Sequence, residues 1–189
     1  MPERVAREPG FECWDGRGAL GYLTLAAIVQ SLVDDPPAHA CVVVASRCFP
    51  TGMLGHWVRR LADAGLVALL TATSPARLAH PDGGPPLVGT NPLAIGIPSP
   101  SGAPVVVDVS PAKATWGDVI AGRAPAEDVV PFGGEQAHKA FALAVGLQLL
   151  VDASVEGHGA VLVALRPEHA GAADALRARA EGVRLPGDA

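Results

Sequence analysis

The chain has 189 residues, of which 49% are hydrophobic and 17% are charged. This length and apolar content are enough for a sizeable core, which excludes an intrinsically disordered chain. The net charge is −5 and no block of basic residues occurs, so neither duplex nucleic acid nor an anionic membrane surface is expected as a partner.

Targeting segments and metal sites are not expected either. No apolar run is long enough to span a bilayer, and residues 1–17 do not resemble a signal peptide. The three cysteines, Cys13, Cys41 and Cys48, have no metal-binding spacing, and their number is odd. We therefore expect reduced thiols in a cytoplasmic protein without a metal site.

The pattern along the chain predicts an α/β fold. Residues 1–17 are charged, and an irregular N-terminal segment is expected there. Helical and strand patterns then alternate without a separating linker, so 18–189 is predicted to be a single α/β domain. Strands that are apolar throughout indicate a mostly parallel or mixed sheet flanked by helices. The predicted helices are 18–34, 52–64, 111–120, 136–152 and 168–181; the predicted strands are 41–45, 66–71, 93–97, 105–107 and 160–165.

Two of the predicted helices differ in pattern. In 52–64, Trp57, Val58 and Leu61 recur at helical spacing, which is typical of an amphipathic helix. The helix at 136–152 is apolar nearly all round, so we expect it to be buried on several sides. The segments 73–88 and 122–134 are rich in proline and glycine and are predicted to be loops.

The stretch Gly89-Thr90-Asn91-Pro92 is the strongest local signal for function. Glycine and asparagine tolerate backbone angles that other residues avoid, and proline fixes its own φ. The four residues, called the corner below, are therefore predicted to form a rigid bend whose amides and Thr90 hydroxyl face a ligand. The same sequence also suits an ordinary turn.

Asp108 stands at the exit of the strand that follows the corner. A carboxylate there is costly unless it is paired or hydrogen-bonded. We expect Asp108 to contact a ligand or to act as an acid with a raised pKa. The alternative is that it caps the turn at Ser110 and Pro111.

Several blocks, in one order along the chain, resemble the malate/L-lactate dehydrogenase family, which includes ureidoglycolate, sulfolactate and piperideine-carboxylate reductases. The corner resembles the family's G-T-N-P, the Val107-Asp-Val109 block its L-D-M strand end, and His138-Lys139 its H-K-G-Y-G helix entry. Further matching blocks are 15–21, 46–50, 83–84, 131–134 and 183–187. No G-x-G-x-x-G fingerprint of the Rossmann type occurs.

The resemblance implies a distinct NAD(P)-binding fold, usually a homodimer, that reduces 2-oxo or cyclic imino acids by hydride transfer. It places NADP or NAD near the corner, near the strand end that carries Cys48, and near the helix entry. The residues implied for the cofactor are Gly89, Thr90, Asn91, Pro92, Lys139, Gly133, Gly134 and Cys48. Asp108 and His138 are the catalytic candidates, because one of them would have to replace the family's catalytic histidine as proton donor.

The chain also departs from the family pattern. The family carries an S-H-G motif whose histidine is the catalytic acid. Nothing in residues 1–17 resembles this motif, so a truncated member is expected. Cys48 replaces the histidine of the H-F-G motif, and Thr115-Trp-Gly-Asp118 replaces A-R-G-K. Losing basic residues works against phosphate binding, which depends on cationic partners.

Each candidate has an ordinary alternative. In the functional interpretation, His138 is a proton donor and Lys139 binds an anion. In the ordinary interpretation, both are solvent-facing residues of a first helical turn. Gly133 and Gly134 allow an anion to approach the backbone, or form only a tight turn. Cys48 contacts the cofactor or acts as a thiolate nucleophile, or it packs as a small apolar residue.

Three functions follow from these residues. The first is an NAD(P)H-dependent reductase of a small 2-oxo or cyclic imino acid. The second is a non-redox enzyme, a lyase, isomerase or cyclase, that holds an amino-acid-like substrate in the former cofactor cleft. The third is a non-catalytic binding or assembly subunit. We expect a homodimer, because the apolar content predicts exposed apolar surface that a second copy could cover. A partner chain is an alternative source of the missing catalytic groups.

Overall fold

In the computed structural model, residues 1–180 and 182–188 are described, and they contain a seven-stranded sheet with the order β1-β2-β3-β7-β4-β5-β6. The strands are β1 (Glu3–Glu8), β2 (Phe11–Asp15), β3 (Ala40–Ser46), β4 (Val67–Ala72), β5 (Leu93–Ile97), β6 (Val105–Val109) and β7 (Ala160–Leu165). The helices are α1 (Gly21–Asp34), α2 (Leu54–Asp63), α3 (Trp116–Ile120), α4 (Ala137–Asp152) and α5 (Ala172–Ala180). Two short 3-10 helices are Ala126–Asp128 and Gly134–Gln136.

The predicted fold class, a mixed sheet flanked by helices, is confirmed. Only β2 and β3 pair in parallel; the other neighbouring strands of the described sheet are antiparallel. Of the two predicted arrangements, mostly parallel or mixed, the mixed sheet is therefore the one observed. Helices cover both faces of this sheet, so its central strands are apolar throughout, and that is also the pattern of buried parallel strands.

The N-terminal segment is not irregular, because β1 and β2 form an antiparallel hairpin at the edge of the sheet. All six residues of β1 are exposed, so the strand carries no apolar alternation. In β2 the buried side chains include a glutamate, Glu12, which accepts hydrogen bonds from Trp14 Nε1 at 2.8 Å and from Arg4 at 3.2 Å. A charged residue inside the strand hid the pattern that would have predicted it.

The sheet has helices on both faces, and these faces define the site described below. Leu25 of α1 and Leu61 of α2 pack with Val43 and Leu70 in the main core. Val44 instead packs with Val151 of α4. Since successive residues of a strand point to opposite faces, α1 and α2 cover one face and α4 covers the other.

Helix α4 is buried on one side only, and the expectation of burial on several sides was wrong. Ala140, Ala144, Leu147 and Val151 are buried on the side of the sheet. The other side leaves Leu143, Leu149 and Leu150 39%, 61% and 46% exposed.

Some helices begin later than the sequence pattern indicates. Helix α1 starts at Gly21 rather than at residue 18, because Arg17 and Gly18 adopt positive φ angles of 54° and 70°. Helix α3 starts at Trp116 rather than at residue 111, because Thr115 and Asp118 form a capping box at this point. The predicted helix 168–181 is shortened to α5, and residue 181 lies outside the described residues. Within the described part of the chain, no helix is long and apolar enough to cross a membrane.

The strand directions bring most of the sequence motifs to one end of the sheet. Asp15 pairs with Ser46, Ala72 with Ala160, and Leu93 with both Thr71 and Val109. The segments that enter or leave these strands therefore lie at the same end. We call it the motif end; its segments are 15–18, 46–50, 72–74, 89–93, 108–110 and 158–160.

Candidate functional site

The corner is locked to helix α4 by the side chain of Asn91. Asn91 is fully buried and has a φ of 27°, a left-handed conformation that asparagine tolerates better than most residues. Its Nδ2 donates to the Ala144 carbonyl at 3.0 Å and to Gln148 Oε1 at 2.9 Å. Its Oδ1 accepts the amide of Ser74 at 3.4 Å. These hydrogen bonds attach the corner to α4 and to Ser74, and its rigidity stays a prediction.

The Gly89 and Thr90 amides of the corner are hydrogen-bonded within the protein. Gly89 N donates to Gln148 Oε1 at 3.3 Å, and Thr90 N donates to Ser74 Oγ at 3.2 Å. The Thr90 carbonyl accepts from Ser110 Oγ at 2.9 Å, and the Pro92 carbonyl accepts from Thr71 Oγ1 at 2.9 Å. The Gly89 and Thr90 amides are therefore not free to hold a ligand, and contact of the Thr90 hydroxyl with a ligand stays a prediction.

Asp108 holds the start of helix α2. Its Oδ2 accepts the amide of Gly55 at 2.7 Å, and a Cβ atom at position 55 would lie 3.0 Å from that oxygen. Partial burial raises the pKa of Asp108, and the Gly55 hydrogen bond acts in the opposite direction. The turn after β6 is instead tied by Ser110 Oγ, which accepts the Ala112 amide at 3.2 Å.

Asp108 and the helix entry lie on opposite faces of the sheet. The Asp108 side chain contacts α2 on one face, whereas His138 and Lys139 belong to the first turn of α4 on the other. A single cleft walled by the corner, Asp108 and Lys139 was expected, and this arrangement contradicts it. The corner and Asp108 still share the motif end, because Asp108 pairs with Ala94 just beyond the corner.

The helix entry is exposed. Gly133 and Gly134 have φ angles of 107° and 56°, values that favour glycine, and a 3-10 turn from Gly134 leads into α4. His138 and Lys139 are solvent-facing, and within residues 1–180 and 182–188 Lys139 forms no ion pair. An unpaired cation at this position is able to meet an anionic ligand.

Cys48 is a packing residue. It is 0% exposed, and its Sγ lies 3.5 Å from the Ala45 carbonyl. Burial raises the pKa of the Cys48 thiol to about 12. A neutral, enclosed thiol is neither a nucleophile nor a surface for a cofactor, so the structure favours the ordinary alternative.

Arg77 was missed by the sequence analysis. Its guanidinium lies 3.7 Å from the ring centre of Trp116, and its amide donates to the Val88 carbonyl at 2.9 Å, directly before the corner. A single arginine in a proline-rich loop carries no periodic signal. Its partner Trp116 had been interpreted only as the loss of a basic residue.

Further ring contacts surround α4. The ring centres of His80 and Phe141 are 5.1 Å apart, and Phe141 packs against the cluster of Leu78, Val88, Ala112 and Ala144. The corner, Arg77, His80 and the start of α4 thus belong to one region on the α4 face. We call Arg77, His80, His138 and Lys139 the α4-face cations; the histidines carry charge only when protonated.

Two open cavities of about 350 Å³ lie elsewhere. Tyr22, Met53, His56 and Trp57 line one of them, beside the start of α2. The other is lined by residues of the N-terminal hairpin and by Cys41, at the end of β3 away from the motif end. Among the described residues, no three His, Cys, Asp or Glu side chains are grouped as metal ligands.

Comparisons with known proteins agree with the order of the motifs. The chain is 32% identical over 119 residues to a Δ1-pyrroline-2-carboxylate/Δ1-piperideine-2-carboxylate reductase of Pseudomonas aeruginosa, a match that covers 62% of this chain and 36% of that protein. It is 37% identical over 118 residues to a (2R)-3-sulfolactate dehydrogenase (NADP(+)) of Chromohalobacter salexigens, which covers 61% of this chain and 35% of that protein. The chain thus spans about a third of the length of these curated relatives.

The fold is shared with a solved reductase. The crystal structure of Δ1-piperideine-2-carboxylate reductase from Pseudomonas syringae pv. tomato superposes with a TM-score of 0.83 at 24% identity, over 100% of this chain and 72% of that one. A family model described as malate/L-lactate dehydrogenase matches residues 1–129, more than half of the chain. That stretch includes the corner, the Asp108 strand and Trp116. The chain belongs to the malate/L-lactate dehydrogenase family.

Proposed function

We propose that the protein is an NAD(P)H-dependent reductase of a small 2-oxo or cyclic imino acid. The observation that carries the proposal is the family match over residues 1–129, whose motifs the fold gathers at one end of the sheet. The similar proteins named above include a reductase of cyclic imino acids and a dehydrogenase of a 2-hydroxy acid. Family membership alone does not establish activity, so the support has to come from the side chains at the site as well.

The side chains on the α4 face fit the phosphates of NAD or NADP. Arg77 is stacked on Trp116 without a carboxylate partner among the described residues, and Lys139 is unpaired there too. Guanidinium and ammonium groups are the usual side-chain partners of phosphate. When bound, the reduced nicotinamide supplies the hydride. The protein itself must orient the substrate, exclude water and deliver a proton.

His138 is the better candidate for the proton donor. Reduction of a C=O or C=N bond to the alcohol or amine needs one proton as well as the hydride, and imidazole donates it near neutral pH. His138 lies beside Lys139 on the α4 face, whereas an oxygen of Asp108 is engaged by Gly55 on the opposite face. We assign proton delivery to His138 and the positioning of α2 to Asp108. A partner chain that supplies the donor is the alternative.

Binding and turnover test the proposal. Purified protein is titrated with NADH and NADPH while nicotinamide fluorescence is followed. It is then assayed with Δ1-pyrroline-2-carboxylate, Δ1-piperideine-2-carboxylate and pyruvate. Saturable binding at micromolar nucleotide, with oxidation of the nucleotide in the presence of one of these acids, is expected. Failure to bind either nucleotide at millimolar concentration would show that the reductase proposal is wrong.

A substitution distinguishes His138 from a bystander. The His138→Gln variant should lower kcat by about 100-fold while nucleotide binding stays within about twofold, which is the usual effect of losing a general acid. His39→Gln is the matched control, because His39 is also exposed but lies beside the opposite end of β3. Equal activities of both variants would remove His138 from the mechanism and favour a donor from a partner chain.

The non-redox alternative makes a different prediction. The Gly89 and Thr90 amides are already bonded and the Cys48 thiol is buried, which is compatible with a cleft that holds a substrate without a nucleotide. In that case the protein binds amino-acid-like acids but does not bind NADH or NADPH. A non-catalytic subunit binds neither class and instead recruits a partner chain.

We also propose a homodimer formed through the exposed side of α4. Leu143, Leu149 and Leu150 form an apolar stripe around Gly146, and a Cβ atom at position 146 would meet nothing within 4 Å. A second copy of α4 can therefore approach closely at Gly146 and cover the three leucines. An antiparallel crossing is favoured because it opposes the two helix dipoles.

A further inference from the structure

Arg77 has a special arrangement that the family motifs do not explain. Its guanidinium stacks on the Trp116 ring at 3.7 Å, and its backbone is held by the Val88 carbonyl beside the corner. Among the described residues no carboxylate pairs with it. Stacking on an aromatic ring fixes the plane of the guanidinium while its edge N–H donors stay available.

The acidic side chain that follows Trp116 in the chain is already engaged. Asp118, two residues after Trp116, accepts hydrogen bonds from the Thr115 amide and hydroxyl at 3.0 and 2.7 Å, and it pairs with Arg123 at 2.8 Å. These partners lower the pKa of Asp118 to about 2, so it stays ionised and bound to them. Asp118 is therefore held by Thr115 and Arg123.

We propose that Arg77, on its Trp116 support, binds the 2′-phosphate of NADPH and makes the protein prefer NADPH over NADH. The inference rests on the proposed reductase function. A diphosphate is usually held by backbone amides at a glycine-rich turn, but here the Gly89 and Thr90 amides are occupied. A phosphate monoester instead suits the edge of one guanidinium. Arg77 is exposed, so its guanidinium is accessible to the phosphate.

The experiment compares both nucleotides on wild type and variants. Dissociation constants of NADPH and NADH are measured by nicotinamide fluorescence, and those of adenosine 2′,5′-bisphosphate and 5′-AMP by calorimetry. Wild type should bind NADPH at least about tenfold more tightly than NADH, since charge-assisted hydrogen bonds to phosphate are worth this much. The Arg77→Gln variant should lose that preference. Its affinity for NADPH should fall about tenfold, whereas its affinity for NADH should stay within about twofold of wild type.

The controls separate the possible causes. Arg123→Gln removes an arginine of the same region that is paired with Asp118, and it should leave the preference intact. Trp116→Leu removes the support but not the charge and should weaken NADPH by a smaller factor than Arg77→Gln. Thermal melting checks that each variant is folded. If Arg77→Gln does not fold, the wild-type affinities for the two adenosine phosphates decide. Equal affinities for adenosine 2′,5′-bisphosphate and 5′-AMP overturn the inference, and an affinity about ten times or more higher for the bisphosphate supports it.

Other outcomes identify which proposal fails. Equal weakening of NADPH and NADH by Arg77→Gln would place the contact at the diphosphate, and no change would make the stacking purely structural. Each overturns the inference while leaving the reductase proposal intact. Wild type that binds neither nucleotide overturns both proposals.

Discussion

Asn91 Nδ2 lies 2.9 Å from Gln148 Oε1, and the same oxygen accepts the amide of Gly89, so one glutamine of α4 holds two residues of the corner. The carbonyl of Ala144, one turn earlier in α4, accepts the second proton of the Asn91 amide. This network joins the strongest sequence motif to the face of the sheet that carries the α4-face cations.

Breaking this network should destabilise the protein. The Asn91→Ala substitution removes the donor to the Ala144 carbonyl and to Gln148 Oε1, removes the acceptor of the Ser74 amide, and puts alanine at a positive φ. We expect a loss of about 2–4 kcal/mol in the free energy of unfolding, measured in urea at 25 °C. Gln30→Ala is the control, because the hydrogen bonds of Gln30 to Asp34 and Arg60 lie on an exposed surface and their loss should cost less than about 0.5 kcal/mol. Similar losses for both variants would contradict a special role for Asn91.

Asp108 should make stability depend on pH. Its pKa is raised in the folded state, so the protonated form is favoured there more than in the unfolded chain. Its contribution is therefore present below the unfolded pKa and is lost as the pH rises through the higher, folded pKa. The Asp108→Asn variant keeps an acceptor for Gly55 but cannot ionise. Relative to wild type, this variant should gain stability between pH 3 and pH 7, as read from urea midpoints.

A second Asp108 variant separates charge from capping. The Asp108→Ala substitution removes the acceptor and leaves the Gly55 amide at the start of α2 without its partner. It should cost about 0.5–2 kcal/mol at every pH, as the loss of a helix cap does. Equal stabilities of the alanine and asparagine variants at pH 7 would show that the hydrogen bond contributes nothing.

The Cys48 thiol should be unreactive in the folded protein. With no exposed surface and a pKa of about 12, it carries almost no thiolate at pH 8. Labelling with a disulfide reagent at pH 8, followed by peptide mass spectrometry, should modify partly exposed Cys13 well before Cys48. In denaturant both should react at similar rates. Rapid labelling of Cys48 without denaturant would reopen a role for it at the site.

The exposed stripe of α4 should control assembly. Leu149 is 61% exposed, and a glutamate at this position would place a charge in the proposed interface. The Leu149→Glu variant should be a monomer in light scattering at a concentration where wild type is a dimer. Leu176→Glu is the control, since Leu176 is also exposed but lies on α5. A monomeric wild type would refute the homodimer proposal.

Much of the fold follows from local patterns, and the misses have physical causes. The amphipathic helix that became α2 was recognised because Trp57 and Leu61 repeat at the period of a helix. The first strands were missed because β1 buries nothing and β2 buries Glu12, a residue whose charge is satisfied by Arg4, Arg7 and Trp14. The two-sided burial expected for α4 was wrong because composition does not say which apolar residues find a partner.

The candidate site divides in the same way. The corner, Asp108 and the His138-Lys139 pair could be proposed from sequence, because glycine, asparagine and proline restrict the backbone and charges at strand and helix ends need partners. Arg77 was not, because its importance depends on a ring that lies 39 positions away in the chain.

The sequence by itself determined the alternation of helices and strands and the family resemblance, since each depends on residues close together in the chain. Only the tertiary structure decided strand direction, the faces on which Asp108 and Lys139 lie, and which corner amides remain free. Those properties depend on contacts between distant segments, and a local pattern carries no information about where such segments meet.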